Sequence, residues 1–424
     1  MKPIKRHIHE LLSGFDPDMT PEMKLLLALS HFEMDETRRT EATDLLRESI
    51  DWSAFLKLCE WHGLYPLVYK ALKNMLGGVG ERVPAAITDT LQNKYRNNVL
   101  RMTGMSGELL RLTALLDEAG IRILPWKGLV ASLQIFGDIS VRTSCDIDLL
   151  VAPDDILPAV RIITGAGYKI AEYPEGLTHE QLRHIVRHIH HFPALYNPER
   201  GITVEVHWRI SPLIAASALD FADMYQKSEI LAWSGHSFRS LSRETAFLTM
   251  AVHGAKHMWC QLRWLCDVAT LLDGTQPLDG EQIIAEAKRL DVLEIILQTV
   301  ILSQLFFAIP APAWAQEALD RNKKAAKLAR MAAIFITAPP ETAEAVLFKK
   351  PGRSLGVYHP LYWIAKRYDL TLCTTFSRKL LYFRYYTAPN PETFGSVSLP
   401  ASLHFLYRPL RFFLWLRRRM IHGA

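Results

Sequence analysis

The sequence has few of the features that mark membrane, secreted and repeat proteins. No uninterrupted apolar run reaches the length that spans a bilayer, and there is no internal repeat or low-complexity segment. The start, MKPIKRHIHELLSGFD, is basic but lacks the long apolar core of a signal peptide. We therefore expect a globular protein without a membrane span or a signal peptide.

Cysteine is scarce and follows no pattern. The chain has five cysteines, and none stands in a CxxC pair or at zinc-finger spacing. This excludes a disulfide framework or a zinc ribbon, and we expect reduced thiols in a cytosolic protein. The five are Cys59, Cys145, Cys260, Cys266 and Cys373.

A large excess of charge is also missing. The 424 residues are 49% hydrophobic and 22% charged, with a formal net charge of +5. That balance permits contact with nucleotides, RNA or anionic lipid and requires none of them. A chain of this length has room for two or three domains with their own cores.

The patterns along the chain predict four regions. Helical periodicity dominates residues 1–115, short β-rich runs alternate with helical stretches in residues 116–215, and helical periodicity returns in residues 216–340. Residues 341–424 are aromatic and basic. The runs IRILPW, DIDLLV and ITVEVHW are predicted strands, and NPERG is a predicted hairpin turn. The fold class is therefore α/β, flanked by mainly α-helical N- and C-terminal regions.

Two aspartates stand one residue apart in DIDLLV, among apolar neighbours. Alternate residues of a strand face the same side, so Asp146 and Asp148 project together, and their like charges require a compensating cation. Mg²⁺ or Mn²⁺ suits this role because these ions bind carboxylate oxygens together with substrate phosphates. Glu205 in ITVEVHW is a third candidate ligand if its strand lies beside the first. An acidic residue of this kind, taken by itself, is more often a solvent-exposed strand residue than a metal ligand.

A turn that suits phosphate precedes the aspartates. In ILPWKGLVASL a predicted strand is followed by Lys127, Gly128 and a helix. Glycine allows close backbone approach, a helix N-terminus attracts anions, and lysine adds a compact positive charge. Arg142 and Ser144 add a cation and a hydroxyl just before Asp146. The order of these residues predicts a site for a metal-bound polyphosphate.

Together, KG, RTSCDIDLLV and VEVHW resemble the nucleotidyltransferase superfamily with the DNA polymerase β-type minimal fold, and more narrowly a bacterial branch of it. The resemblance covers about Ile121 to Trp208. It implies a small mixed-sheet nucleotidyltransferase core between the helical regions. The sequence departs from the family pattern at Leu129, where relatives carry Ser or Gly, and at Glu205, where many carry Asp.

The resemblance also implies a reaction. Asp146 and Asp148 would bridge two Mg²⁺ ions and Glu205 would bind the ion nearer the acceptor, so these three are predicted as catalytic residues and metal ligands. An acceptor hydroxyl would attack the α-phosphorus of an NTP such as ATP and expel pyrophosphate. Lys127 would hold the β- and γ-phosphates, and Arg142 would stabilise charge near the α-phosphate. The acceptor would be a peptide or protein, a small molecule or a tRNA end.

Another class of function remains open. A catalytically degenerate transferase, used as a scaffold or binding component of a peptide-modification system, would fit the altered glycine motif at Leu129. A metal phosphohydrolase is less favoured, because the sequence has no HD motif and no metallophosphatase pattern of metal ligands.

Several histidines have ligand-like spacing. His253 and His257 flank Lys256 in HGAKHMW on a predicted helix, whose polar positions fit a core helix as well as a cleft in which Lys256 touches phosphate. His207 is predicted to support its strand. For a second cluster, substrate contact or no role is favoured over zinc binding; its members are His184, His188, His190 and His191.

The C-terminal stretch LHFLYRPLRFFLWLRRRMIHGA has the most unusual composition in the chain. Leu, Phe and Trp alternate with arginines, and Pro409 together with the arginines excludes a bilayer span. Either the helix packs its apolar face on the helical domain with its arginines solvated, or it lies in a membrane interface as a basic amphipathic segment. The expected localisation is cytoplasmic, and peripheral membrane contact stays open.

Overall fold

The computed structural model describes residues 17, 19–75, 82–171, 180, 192–211, 220–348, 359–373, 375–389, 391–397 and 399–422. The chain divides into two compact units. The first comprises Met1–Gly104, Gly128–Ser144 and Arg243–Leu372, and the second comprises Met105–Lys127, Cys145–Ser242 and Cys373–Ala424. Because each unit is assembled from discontinuous segments, the division into four consecutive regions stays a prediction from the sequence.

The elements up to residue 242 are α1 (Pro21–Ala28), α2 (Glu36–Leu45), α3 (Trp52–Trp61), α4 (Tyr65–Met75), α5 (Ala85–Glu118), β1 (Ile123–Trp126), α6 (Gly128–Phe136), β2 (Asp146–Val151), α7 (Ile156–Gly165), β3 (Lys169–Ile170), β4 (Leu195–Asn197), β5 (Ile202–His207), α8 (Phe221–Gln226), β6 (Glu229–Trp233) and β7 (His236–Ser240). A short 3₁₀ turn, Pro153–Asp155, precedes α7.

The remaining elements are α9 (Arg243–Lys256), α10 (Leu262–Asp273), α11 (Gly280–Arg289), α12 (Leu293–Phe307), α13 (Ala313–Asp320), α14 (Lys323–Thr337), α15 (Pro340–Leu347), α16 (Pro360–Leu372), α17 (Phe376–Tyr386), α18 (Pro391–Ser396), a 3₁₀ helix (Ala401–Leu406) and α19 (Tyr407–His422). None of the helices in the described part of the chain is long and apolar enough to cross a membrane.

The first unit is built around a helix that is apolar on nearly every side. α12 has buried residues around its whole circumference, which is the pattern of a core helix rather than a surface one. Gln298 on α12 is also buried, and its side-chain amide donates to the carbonyl of Leu328 and to the hydroxyl of Tyr368. These bonds satisfy a polar group that would otherwise be costly to bury.

The second unit contains a mixed sheet. Its spatial order is β1-β2-β5-β4-β3, and β6 pairs with β7 in a separate two-stranded sheet. β2 and β5 are parallel, and all the other neighbours are antiparallel. The predicted α/β class, with a small mixed sheet and helical flanks, is confirmed.

The predicted hairpin turn is also confirmed. β4 and β5 pair in antiparallel fashion on either side of NPERG. The Asn197 side chain accepts hydrogen bonds from the backbone N–H groups of Glu199 and Arg200, at 3.0 and 3.1 Å. Gly201 closes the turn with a φ of 63°, which glycine adopts without steric cost. This local chemistry sets the register of β5 and therefore the position of Glu205.

Candidate metal and nucleotide site

Two central strands bring the predicted acids together. In the parallel pairing of β2 and β5, Asp148 lies opposite Glu205 and Asp146 lies opposite Thr203. Paired residues on neighbouring strands face the same side of a sheet, so Asp146, Asp148 and Glu205 share one face. The strand adjacency on which the sequence argument depended is present.

His207 joins the acids on this face. Its Nε2 lies 2.8 Å from Oδ1 of Asp148 and 3.1 Å from Oε2 of Glu205. An ionised carboxylate only accepts hydrogen bonds, so this arrangement requires a hydrogen on Nε2 of His207. The Asp148 and His207 side chains are almost fully buried, whereas the Glu205 side chain keeps 24% of its surface exposed. Glu205 is thus more accessible to a substrate than its two neighbours.

Lys127 places a positive charge against the same carboxylate. Its Nζ donates to Oδ1 of Asp148 at 2.9 Å and lies 4.1 Å from the centre of the Trp126 ring. Trp126 in turn packs edge-on against the His207 ring. Lys127 has a φ of 55° and Gly128 a φ of 41°, so the chain leaves β1 through two left-handed residues. That conformation is strained for lysine and persists only where surrounding contacts hold it.

The two aspartates have different electrostatic environments. Burial raises the pKa of Asp146 to about 6, and the negative charges of Asp148 and Glu205 contribute to the rise. Burial also acts to raise the pKa of Asp148, but the charge of Lys127 and the hydrogen bond from His207 outweigh it and hold that pKa well below its usual range. The negative charge of Asp148 is therefore compensated within the protein, and that of Asp146 is only partly compensated.

The donor atoms fit a divalent cation. A carboxylate oxygen from Asp148, another from Glu205 and a ring nitrogen of His207 all lie within 4.8 Å of one another. Neighbouring ligands of an octahedral ion bound at about 2.1 Å are about 3 Å apart, so a small adjustment, with the ring hydrogen of His207 moved from Nε2 to Nδ1, would let all three bind. Within the described ranges this is the one group of three such donors, and it does not include Asp146.

Comparison with protein families places these residues in a known class. A model of an uncharacterised nucleotidyltransferase family matches residues 48–308, which is more than half of the chain. The chain belongs to this nucleotidyltransferase family. No curated protein and no solved structure matches the chain. The matched range includes β1, β2 and β5 and all the residues predicted above for the catalytic and phosphate-binding roles.

Four residues predicted to bind nucleotide lie in the first unit of the chain. Gly128 begins α6, Ser144 is buried, and Lys256, the last residue of α9, is partly buried. The buried Arg142 forms an ion pair that the sequence did not predict. Its Nε lies 2.8 and 3.0 Å from the two carboxylate oxygens of Asp267. Contact of these four residues with nucleotide therefore stays a prediction from the sequence.

The helix α9, which carries Lys256, ends in a cluster of aromatic rings. His253 and His257 lie 4.8 Å apart between ring centres, and Trp264 lies 5.4 and 5.1 Å from them. Just after the end of α9, the indole of Trp259 packs directly on Gly254, so that a Cβ at position 254 would clash with the ring. Trp259 is fully buried, so it belongs to the core of the first unit.

Sequence reasoning missed the role of His207 and the partner of Lys127. A signal for His207 was available, because it stands two residues after Glu205 and therefore on the same face of the strand. The cluster His184, His188, His190 and His191 lies outside the described residues.

Proposed function

We propose that the protein is a Mg²⁺- or Mn²⁺-dependent nucleotidyltransferase that moves a nucleoside monophosphate from an NTP to a hydroxyl group of an acceptor. The observation that supports this most is the convergence of Asp148, Glu205 and His207 on one face of the sheet, with Asp146 on the same face. Family membership supports the transferase class, and the arrangement of donors supports the dependence on a cation.

The reaction exchanges one phosphorus–oxygen bond for another. The acceptor oxygen forms a bond to the α-phosphorus, the bond from the α-phosphorus to the bridging oxygen breaks, and pyrophosphate leaves. Asp146, Asp148, Glu205 and His207 would hold the cation. When bound, such an ion neutralises triphosphate charge and lowers the pKa of a hydroxyl. Glu205, the most exposed of the three donors, is the proposed acceptor of the hydroxyl proton.

Lys127 has a proposed role in phosphate binding. Its ammonium group already lies at the acidic cluster, on a residue held in a strained backbone conformation. We propose that Lys127 leaves Asp148 and contacts the β- and γ-phosphates when the metal-bound NTP enters, because the two positive charges would otherwise compete for one oxygen. Gly128, Arg142, Ser144 and Lys256 complete the phosphate-binding set proposed from the sequence.

The distribution of charge favours a peptide or small-molecule acceptor over tRNA. Residues 373–424 contain eight Lys and Arg against Glu392 alone, so the other 372 residues, which contain the site, are slightly acidic in sum. RNA-binding proteins more commonly place a basic stripe beside their active site. A cytoplasmic setting is also proposed, since none of the five cysteines, all of which lie in the described part of the chain, forms a disulfide.

A scaffold without catalytic activity is the second candidate. Lys127 and His207 both contact Asp148 and compensate its charge, and Leu129 departs from the glycine motif that the family resemblance implies. A scaffold of this kind would bind neither a cation nor NTP at the site and would release no pyrophosphate.

Pyrophosphate release separates these two candidates. The full chain would be incubated with mixed NTPs, Mg²⁺ or Mn²⁺ and candidate acceptors, and the acceptors would be analysed by mass spectrometry for an added nucleoside monophosphate. We expect Asp146→Ala and Asp148→Ala to abolish release. Asp154→Ala removes an exposed acid in the same unit and serves as the matched control. Undiminished release from both site variants would refute the proposal.

A further inference from the structure

The positive charge of the chain is concentrated at one end. Residues 401–424 contain five arginines, no lysine and no acid, and this equals the whole formal excess of five positive charges. Residues 373–400 add Arg378, Lys379 and Arg384 against Glu392. The segment therefore differs in electrostatic character from the rest of the protein, and it lies beyond the range matched by the family model.

The helix α17, within this segment, exposes an apolar stripe. Phe376 is 81% exposed, Leu380 48% and Phe383 62%. Their spacing of four and three residues places them on one face of the helix. Large apolar side chains that are contiguous on an exposed helix face mark an interaction site for a protein or a membrane, whereas single exposed apolar side chains are common on any protein surface.

A second apolar surface lies on α19 and the 3₁₀ helix before it. Phe405, Phe412 and Phe413 are each more than half exposed. The fully buried Tyr407 anchors this region, since its ring packs on Phe394 and its hydroxyl accepts a hydrogen bond from the backbone of Leu399. These three phenylalanines therefore present apolar surface outward, while the choice between a packed helix and a membrane-bound one stays a prediction from the sequence.

Arginines accompany the exposed rings on α19. Arg417 is exposed and stands four residues after Phe413, so the two lie on the same side of the helix. Arg408 and Arg411 are half-buried on the preceding turns. A helix with exposed aromatic side chains and arginines, and with no carboxylate, has the composition of a helix that lies in a membrane interface.

We propose that the segment Cys373–Ala424 binds the surface of anionic phospholipid bilayers. The exposed phenylalanines would enter the boundary between head groups and acyl chains, and the arginines would contact the lipid phosphates. A bilayer interface offers an anionic layer over an apolar one, which matches the pairing of charge and aromatic rings seen here. An acidic protein surface would match the arginines but would leave the apolar stripe on α17 and the apolar surface on α19 exposed to water. This inference does not depend on the catalytic proposal.

Vesicle flotation of the full chain tests the proposal. The vesicles would contain phosphatidylcholine with phosphatidylglycerol in one series and phosphatidylcholine alone in the other. We expect the protein to float with the anionic vesicles only, and added salt to weaken binding. Phe412→Ser with Phe413→Ser should lower the bound fraction by about tenfold or more, because both the apolar insertion and the charge are needed for stable attachment.

Matched variants separate a local effect from a general loss of apolar surface. Leu100→Ser replaces a residue on α5 that is 72% exposed, and it should leave vesicle binding unchanged. If the Phe412 and Phe413 double variant folds poorly by circular dichroism, Phe376→Ser with Phe383→Ser tests the stripe on α17 instead. Nucleotide transfer measured without lipid should be the same in all these variants, so a failure of this proposal is distinct from a failure of the catalytic one.

Three results would overturn the proposal. The first is the absence of binding to anionic vesicles. The second is binding that both serine double variants retain while dextran sulfate abolishes it, which would indicate a surface for acidic macromolecules that needs no apolar insertion. The third is self-association that the serine variants remove, without vesicle binding, which would indicate an interface between copies of the chain.

Discussion

Lys127 and Asp148 form a buried ion pair in which Nζ lies 2.9 Å from Oδ1, and Nε2 of His207 lies 2.8 Å from the same oxygen. One carboxylate oxygen thus receives two hydrogen bonds on the face where a cation is proposed to bind. A cation that binds Asp148 must compete with Lys127 for this oxygen. We therefore predict that metal binding at this site is coupled to the position of Lys127.

Removal of the lysine charge is expected to tighten metal binding and weaken nucleotide binding. In Lys127→Met, the affinity of the free protein for Mn²⁺ should rise about tenfold, because a competing positive charge near Asp148 is gone. The KM for NTP should rise in the same variant, because a phosphate ligand is lost. Calorimetry with Mn²⁺ alone and steady-state kinetics measure the two effects. Lys70→Met, which breaks the ion pair with Asp138, is the control, and equal Mn²⁺ affinity in Lys127→Met and the wild type would contradict the prediction.

The imidazole of His207 is expected to favour Mn²⁺ over Mg²⁺. Nitrogen ligands suit the transition metals better than they suit Mg²⁺, so His207→Gln should lower Mn²⁺ affinity by about tenfold and Mg²⁺ affinity by less. The coupling of bound Mn²⁺ to imidazole nitrogen, seen by pulsed electron paramagnetic resonance, should disappear. His236→Gln, at an exposed position of β7, should change neither value. Nitrogen coupling that persists in His207→Gln would exclude this residue as a ligand.

Removal of one partner of the buried Arg142–Asp267 ion pair is expected to destabilise the protein strongly. Both side chains are buried, so Arg142→Met would leave an unpaired carboxylate and lower the free energy of unfolding by about 3 to 5 kcal/mol. The double variant Arg142→Met, Asp267→Leu should recover most of this loss in chemical denaturation. If the double variant is no more stable than Arg142→Met, the pair is not the cause of the loss.

The same double variant tests the phosphate role of Arg142. Because its stability would be close to that of the wild type, a raised KM for NTP would report a lost phosphate contact. A KM equal to that of the wild type would show that Arg142 acts only through its partner.

The stability of the second unit is expected to depend on the charge of Glu108. Arg111, Tyr168 and Arg200 contact this buried carboxylate at 2.6, 2.8 and 3.3 Å. Burial alone would raise the pKa of Glu108, but these hydrogen bonds and charges outweigh it and lower the pKa. The contribution to the free energy of unfolding is therefore complete above the unfolded-state pKa of about 4.3 and is lost as the pH falls through the lower folded-state pKa.

Glu108→Gln removes this dependence on pH. At pH 7 the variant should be less stable than the wild type by about 1.5 to 3 kcal/mol, and the difference should shrink as the pH falls below about 4. Denaturant unfolding at several pH values measures it. Glu199→Gln, in the exposed hairpin turn, should follow the wild type at every pH. A difference between Glu108→Gln and the wild type that stays constant with pH would refute the prediction.

Much of the sheet could be predicted because its signals are local. The alternation in ITVEVHW, the apolar run in DIDLLV and the turn residues of NPERG each act within a few positions, and the structure has β2, β5 and the β4–β5 hairpin where these signals place them. The shared face of Asp146 and Asp148 follows from the two-residue period of a strand. The nucleotidyltransferase class also follows from these short motifs, because their order along the chain is specific.

The sequence by itself thus determined the strands, the hairpin, the acids that share a face and the family. Tertiary structure alone decided that Lys127 and His207 both bind Asp148, that Arg142 pairs with Asp267, and that phenylalanines of α19 face outward. The reason is that the choice of an ionic or apolar partner depends on which segments the packing brings together. Arg142 and Asp267 are 125 positions apart, and no periodicity in the chain encodes such a pairing.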